Sequence, residues 1–232
     1  MKKQSLGDRM KGYEDVSRIY LTRRMPLILR IDGKAFHSFT KRFYKPFDAV
    51  LMHTMQRTMV KLCEAIQGCK LGYTQSDEIS LLLVDYDKLD TTAWFDKNLQ
   101  KVVSLSASIA TMEFNREFVN TLTNNDFIDK ADIDVYNRVA GTAMFDSRAF
   151  VLPESEVCNY FLWRQQDATR NAIVENVARF NAFADELSIA FARILDERYT
   201  DDGEFEYAIV RYGEQLWEAF NELERKLLVG LR

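Results

Sequence analysis

The chain is poor in the residues that usually announce a chemistry. Its three cysteines, Cys63, Cys69 and Cys158, are odd in number and form no C-x-x-C. A disulfide framework and a structural zinc site are therefore not expected, and a reducing cytoplasm is the natural setting. Its two histidines, His37 and His53, have no serine or cysteine in a nucleophile elbow to work with. Neither G-x-x-x-x-G-K-[ST] nor G-x-G-x-x-G occurs, so there is no phosphate-binding loop of the familiar kinds. No apolar run reaches the roughly 18 residues that a membrane helix needs. The opening MKKQSLGDRMKGYED lacks the apolar core of a signal peptide. No Pro/Gly linker, internal repeat or low-complexity segment divides the chain. A cytoplasmic protein with no membrane partner is expected.

What is present is an ordinary globular composition, 47% hydrophobic and 28% charged over 232 residues. The charge is unevenly spread. Residues 1–45 hold 12 Lys/Arg against 4 Asp/Glu, and the rest 19 against 31, which gives the net −4. A basic N-terminal end suggests a polyanion partner, although a solvated basic face explains it as well.

Residues 26–32, PLILRID, read as a short buried strand closed by the turn signal Asp32-Gly33. From Pro46 the period becomes helical through Val50, Leu51, Met55, Met59, Leu62 and Ile66, and Gly68 ends the helix. CKLGYT and ISLLLVD read as a hairpin turning at QSDE. A second helix runs from about Ala93 to Phe118, with Val102, Leu105, Ile109 and Met112 on its apolar stripe. Residues 120–140 are polar and irregular, and AMFDSRAFVL is the last strand before Pro153. Everything beyond reads as helix. The order strand, helix, strand, strand, helix, strand predicts an α+β fold: a ferredoxin-like split βαβ antiparallel sheet with helices on one face. The expected division is residues 1–152 as the catalytic region and 153–232 as a C-terminal helical extension packed on it.

In such a sheet the first and third strands are central neighbours running in opposite directions. Asp32, ending the first, then meets Asp77 and Glu78, which open the third. Carboxylates so placed repel one another unless a cation lies between them. Hard oxygen ligands with room for phosphates suit Mg²⁺, and a pair of such ions is the usual device for displacing pyrophosphate. Taken singly, an Asp before Gly is most often a turn residue, and S-D-E a cap or loop tip. Phe36, Phe39, Phe43 and Tyr44 read as packing residues. Trp163 and Tyr160 read as core or interface, and Arg164 with Asp167 as a local ion pair.

R-I-D-G-K-A-F-H-S-F (30–39), K-P-F-D (45–48), Y-T-Q-S-D-E-I-S (73–80), F-D-S-R-A-F-V-L-P (145–153) and Y-F-L-W-R-Q-Q-D (160–167) occur in the order in which the tRNA-His guanylyltransferase family carries them. The chain resembles that family from about residue 5 to 175. The resemblance implies a polymerase-like palm that extends RNA at its 5′ end. It implies activation of a tRNA 5′-monophosphate by a nucleoside triphosphate, usually ATP. The 3′-hydroxyl of an incoming nucleotide such as GTP then attacks the activated phosphate. Two Mg²⁺ ions would be held by Asp32, the carbonyl of Gly33, and Asp77. Gly33, Lys34, Ala35, Phe36, His37 and Ser76 would contact the nucleotide. Lys45 matches a catalytic lysine in a stretch that the family writes K-P-N-D. Lys101 matches a triphosphate-contacting lysine, while a family arginine one turn earlier is Asn98 here. A homotetramer is also implied.

One departure shapes the expected substrate. Eukaryotic members that add a single guanosine to tRNA-His carry H-I-N-N soon after W-R-Q-x-D. Here Thr169 stands for the histidine and Ala172 for the last asparagine. Loss of an imidazole and an amide removes hydrogen-bonding groups that could select guanosine, so template-dependent repair of truncated tRNA is expected. The rival readings are guanosine addition, a nucleotide-cyclase-like palm enzyme, and a non-catalytic RNA-binding sheet. The last would need aromatics on its strands, whereas ILRID and ISLLLV are aliphatic.

Overall fold

The apolar run becomes strand β1 (Leu27–Gly33), and alternation assigns its two faces. Leu27, Leu29 and Ile31 face one way and are buried; Ile28, Arg30 and Asp32 face the other. In the computed structural model, which describes residues 4–44, 48–124 and 133–172, β1 is joined by β2 (Cys69–Gln75), β3 (Glu78–Leu83) and β4 (Phe145–Val151). All pairings are antiparallel and the order is β2-β3-β1-β4. The chain divides into two compact units, Met1–Glu175 and Asn176–Arg232. The later part of the expected helical extension, 173–232, lies outside the described residues.

Two helices cover the Leu27–Leu29–Ile31 face. Helix α3 (Ala49–Ala65) starts where the Asp48 carboxylate accepts from the Leu51 N–H. It follows α1 (Leu6–Val16), which opens on a Ser5–Asp8 capping box, and the single turn α2 (Phe36–Phe39). Helix α4 (Leu99–Asn124) is capped by Asn98, whose side-chain oxygen accepts from the Lys101 N–H. Val50, Met55 and Leu62 of α3 and Val102, Ala110, Phe114 and Phe118 of α4 share one core with Leu27, Leu29, Ile31, Ile79 and Leu81. Phe36, Phe39 and Phe43 join it by ring contacts with Phe114 and Phe118, as expected of packing residues. Tyr44 is exposed instead.

The expected α4 stripe is corrected. Leu105 and Met112 are exposed, and the buried line runs through Val102, Ser106, Ala110, Phe114 and Phe118. The reason is close packing on β4: the Ser106 hydroxyl donates to Val102 O at 2.7 Å and shares a 2.7 Å hydrogen bond with Ser147 Oγ, an approach only small side chains permit. The helix also starts later and ends later than expected. Trp94–Lys97 is a tight turn with Phe95 and Asp96 at positive φ, and burial of Thr121 carries the helix on to Asn124. Within 120–140, a further short helix α5 occupies Ile133–Asn137.

The other sheet face is covered too. Residues 157–172 form a helix, α6, whose Tyr160 hydroxyl shares a 2.8 Å hydrogen bond with Ser80 and whose ring meets Phe150 edge-on. Covering both faces explains why β1 and β3 read as near-continuous apolar runs.

Candidate active site

Three cross-strand neighbours form one row at the end of β1: Asp32 lies between Glu78 of β3 and Asp146 of β4. The two-residue turn Ser76–Asp77 sits beside them, since the Gly33 N–H donates to Asp77 O at 3.1 Å. The juxtaposition of Asp32 and Asp77 expected from the element order is present. Asp146 was not anticipated as part of it. The same reasoning would have found it, because β4 starts where the antiparallel β1 ends.

These acids are not equivalent. Glu78 is buried and its carboxylate accepts from Arg30 Nε at 2.9 Å and from Arg164 Nε and Nη2 at 2.7 and 2.9 Å. Asp146 is exposed and only 3.9 Å from Arg148. Among the described residues, Asp32 and Asp77 form no ion pair with any base. Partial burial pushes the Asp32 carboxyl above its ordinary value, and the charges of Asp77, Glu78 and Asp146 push it the same way. Arg30 opposes this only weakly, because its guanidinium is committed to Glu78.

Beyond Asp32 the chain turns sharply. Gly33 is required by packing: a Cβ there would stand 2.3 Å from the Phe36 ring. The Lys34 N–H donates to Met144 O at 2.8 Å, and Ala35 takes φ 55°. Ser76 also has positive φ, 49°, and its hydroxyl donates to Asp77 Oδ1 at 3.0 Å. Such backbone costs of order 1–3 kcal/mol per residue and tends to collect at functional sites. Lys34, Ala35 and His37 are exposed at this end of the sheet. The Phe36 ring is buried, so only its backbone is available to a nucleotide.

Two expected residues are placed elsewhere or not at all. Lys101 stands 5.7 Å over the Phe95 ring at the start of α4. That is where the helix meets the residues leading into β1, at the opposite end of the strand from Asp32: the Leu99 N–H donates to Ile19 O. The structure does not bring Lys101 into the carboxylate row within this chain. It lines, with Arg18, Tyr20, Phe95 and Asn98, a separate hollow of about 550 Å³. Lys45 lies outside the described residues.

Two half-exposed carboxylates, Asp32 of β1 and Asp77 of the turn before β3, with no lysine or arginine among the described residues paired to them, suit a hard divalent cation. Among the described residues no group of three or more His, Cys, Asp or Glu side chains is arranged to hold a metal by itself.

Residues 7–153 match the family described as Thg1, tRNAHis guanylyltransferase, and the chain belongs to that family. Among its relatives, uncharacterized protein R259 of Acanthamoeba polyphaga mimivirus is 31% identical over 73% of this chain and 61% of its own length. The tRNA(His) guanylyltransferase of Debaryomyces hansenii is 31% identical over 62% of this chain and 50% of its own. The chain thus spans about half to three-fifths of these two curated relatives. A bacterial tRNA(HIS) guanylyltransferase (Thg1)-like protein solved in complex with GTP is 47% identical with TM-score 0.66, covering 76% of this chain and 77% of that one. The same description in complex with ATP gives 48% identity and TM-score 0.63, over 72% and 67%. No helix among the described residues is long and apolar enough to cross a membrane.

Proposed function

We propose that this chain is a template-dependent nucleotidyltransferase that adds nucleotides in the 3′–5′ direction to the 5′ end of truncated tRNA, after activating that end with ATP. The observation that carries the reading is the row at the end of β1, where Asp32 and Asp77 stand together, without a cationic partner among the described residues, beside a strained, basic turn. The sheet is read as a polymerase-type palm, which its strand order supports.

Asp32, the Gly33 carbonyl and Asp77 would hold two Mg²⁺ ions, relieving the repulsion that adds to burial in raising the Asp32 carboxyl. When bound, Mg²⁺ supplies charge neutralisation at the transferring phosphate and lowers the pKa of the attacking hydroxyl. The protein's own part is positioning. Lys34 and the opening turn of α2 offer a cation and backbone N–H groups that a helix start leaves without intrahelical acceptors, which suits a triphosphate. The Ser76 hydroxyl and the exposed His37 face the same end of the sheet, and Lys45 is assigned to the activation step. Fixing both reactants in line accounts for most of what a protein contributes to phosphoryl transfer.

Template dependence rests on the end of α6. Thr169, in place of the family's histidine, donates its hydroxyl to Gln165 O at 2.9 Å. With that donor turned back onto its own helix, Watson–Crick pairing is left to choose the nucleotide. The test places A, C, G or U opposite the missing position of a 5′-truncated tRNA and supplies all four nucleotides. Incorporation should track the template base; guanosine whatever the template would instead support the guanosine-adding reading. Cytoplasmic location and a homotetramer belong to the same proposal, and sedimentation would check the latter.

A further inference from the structure

We infer that Arg164 is a positioning residue of this site: it clamps both stems of the turn that presents Asp77, and it withdraws Glu78 from the metal. The inference rests on the nucleotidyltransferase reading. Four contacts carry it. Arg164, on α6 and 4% exposed, grips Glu78 through two parallel bonds, Nε to Oε1 at 2.7 Å and Nη2 to Oε2 at 2.9 Å. This fork-to-fork geometry fixes orientation as well as charge. With the Gln75 amide oriented to match its surroundings, its nitrogen donates to Arg164 O at 2.6 Å and its oxygen accepts from Nη2 at 2.7 Å. Gln75 ends β2 and Glu78 begins β3, so the two-residue turn Ser76–Asp77 is held at both its roots by one side chain.

The clamp also divides the labour between two adjacent acids. Both Glu78 oxygens are taken, by Arg164 and by Arg30 Nε at 2.9 Å. The residue opposite Asp32 in the register is thereby neutralised and kept from ligation, while Asp77 is left open. The guanidinium is itself held: Nη1 donates to Asp167 at 3.2 Å, and Cζ lies 4.6 Å over the Trp163 ring. Asp167 in turn accepts from Arg170 at 2.6 Å. The sequence suggests only a local Arg164–Asp167 pair; the dominant partner lies 86 residues away. Docking of α6 as such has its own anchor in the Tyr160–Ser80 bond, so Arg164 is free for a second task. A turn with Ser76 at φ 49° needs such holding.

The experiment compares Arg164→Met, Arg164→Lys, Gln75→Leu and Tyr160→Phe in the 232-residue chain, by two readouts. The first is extension of a 5′-truncated tRNA at saturating nucleotide. The second is the rise in Tm on adding Mg²⁺ alone. Both Arg164 variants should lose about a hundredfold in kcat, the scale expected when a reacting group shifts by about an ångström. Nucleotide KM should hold nearly constant and the Mg²⁺-induced rise should shrink. Arg164→Lys keeps the charge but not the fork, so its failure to rescue separates positioning from simple charge balance. Gln75→Leu opens one side of the clamp while leaving the buried ion pair intact, and should show an intermediate loss in both readouts even if Arg164→Met fails to fold. Tyr160→Phe should lower Tm yet leave kcat and the Mg²⁺ response unchanged. The inference is overturned if Arg164→Lys or Gln75→Leu behaves like Tyr160→Phe in both readouts. If wild type adds no nucleotide to any tRNA, the functional reading fails, and the Mg²⁺ response still decides the clamp.

Discussion

The two ends of the central strand pair β1–β3 handle acidic side chains in opposite ways. At the end where β1 begins, Asp85 is 4% exposed and Lys97 is 2% exposed. Lys97 Nζ is satisfied threefold, by Asp85 Oδ1 at 2.9 Å, Met25 O at 2.8 Å and Thr22 O at 3.0 Å. Asp85 also accepts from the Arg24 N–H. At the end where β1 finishes, Asp32 and Asp77 are half-exposed and, among the described residues, paired with no base. A buried charge that is fully matched closes the fold; beside the equally matched Glu78, Asp32 and Asp77 are left without a base among the described residues. Both ends carry non-glycine residues at positive φ, Arg24 and Phe95–Lys97 at the closed end, Ala35 and Ser76 at the open one. Backbone strain alone therefore does not mark the site. Charge balance does.

Removing charge at each end separates the two most sharply. Asp32→Ala and Asp77→Ala should each abolish nucleotide addition, a loss of several kcal/mol of barrier and so at least about 10³-fold, while the folded state survives. Near-normal turnover in either variant at saturating Mg²⁺ would sink the two-metal reading. Lys97→Met should do the reverse. Leaving Asp85 buried and unpaired should cost about 3–5 kcal/mol of stability, read as a large fall in Tm or in denaturation midpoint. Activity per folded molecule should be kept.

A smaller effect tests the geometry between strand and turn. Gly33→Ala puts a methyl 2.3 Å from the Phe36 ring. Phe36 must then shift within its cluster with Phe39, Phe114 and Phe145, at about 1–3 kcal/mol. Activity should fall with stability, because the same turn carries Lys34. Unchanged Tm in this variant would show that the close approach is not real.

The two ends should also answer pH in opposite senses. The Asp32 carboxyl titrates above its ordinary value of 3.8, through burial and then its acidic neighbours. Its contribution to metal-free stability is present at low pH and is lost as pH rises through that raised value. Burial alone would push Asp85 up, but the Arg24 N–H and Lys97 hold it below 3.8. Its contribution is present above 3.8 and is lost as pH falls through the depressed value. Metal-free Tm measured across acid pH should therefore change less at its upper edge in Asp32→Asn than in wild type. Equal profiles would mean that neither burial nor its acidic neighbours raise the Asp32 carboxyl.

Much of this contrast was legible in the sequence, and the gaps have physical causes. The order of the elements implies which strands are central, and antiparallel pairing alone then brings Asp32 to Asp77. The α4 stripe was misread because burial there selects Ser106 and Ala110 for size, whereas periodicity counts Leu105 and Met112 for hydrophobicity. Lys97 gave no signal, since a buried lysine is indistinguishable from a surface one until its carbonyl partners are placed around it. Arg164 was matched to its nearest acid along the helix because sequence spacing registers local pairs and is blind to a partner across the sheet.

The proposal makes Asp32 and Asp77 a divalent-cation site and leaves the Asp85–Lys97 pair without one. Thermal unfolding of wild type, Asp32→Asn and Lys97→Met, each with and without Mg²⁺ and with no nucleotide or RNA present, tests it directly. Ligand binding to the folded state alone raises Tm by mass action. Wild type and Lys97→Met should gain similar stability from Mg²⁺, from different starting points, and Asp32→Asn should start at or above wild type and gain little. An equal Mg²⁺-induced rise in Asp32→Asn and wild type would contradict the account.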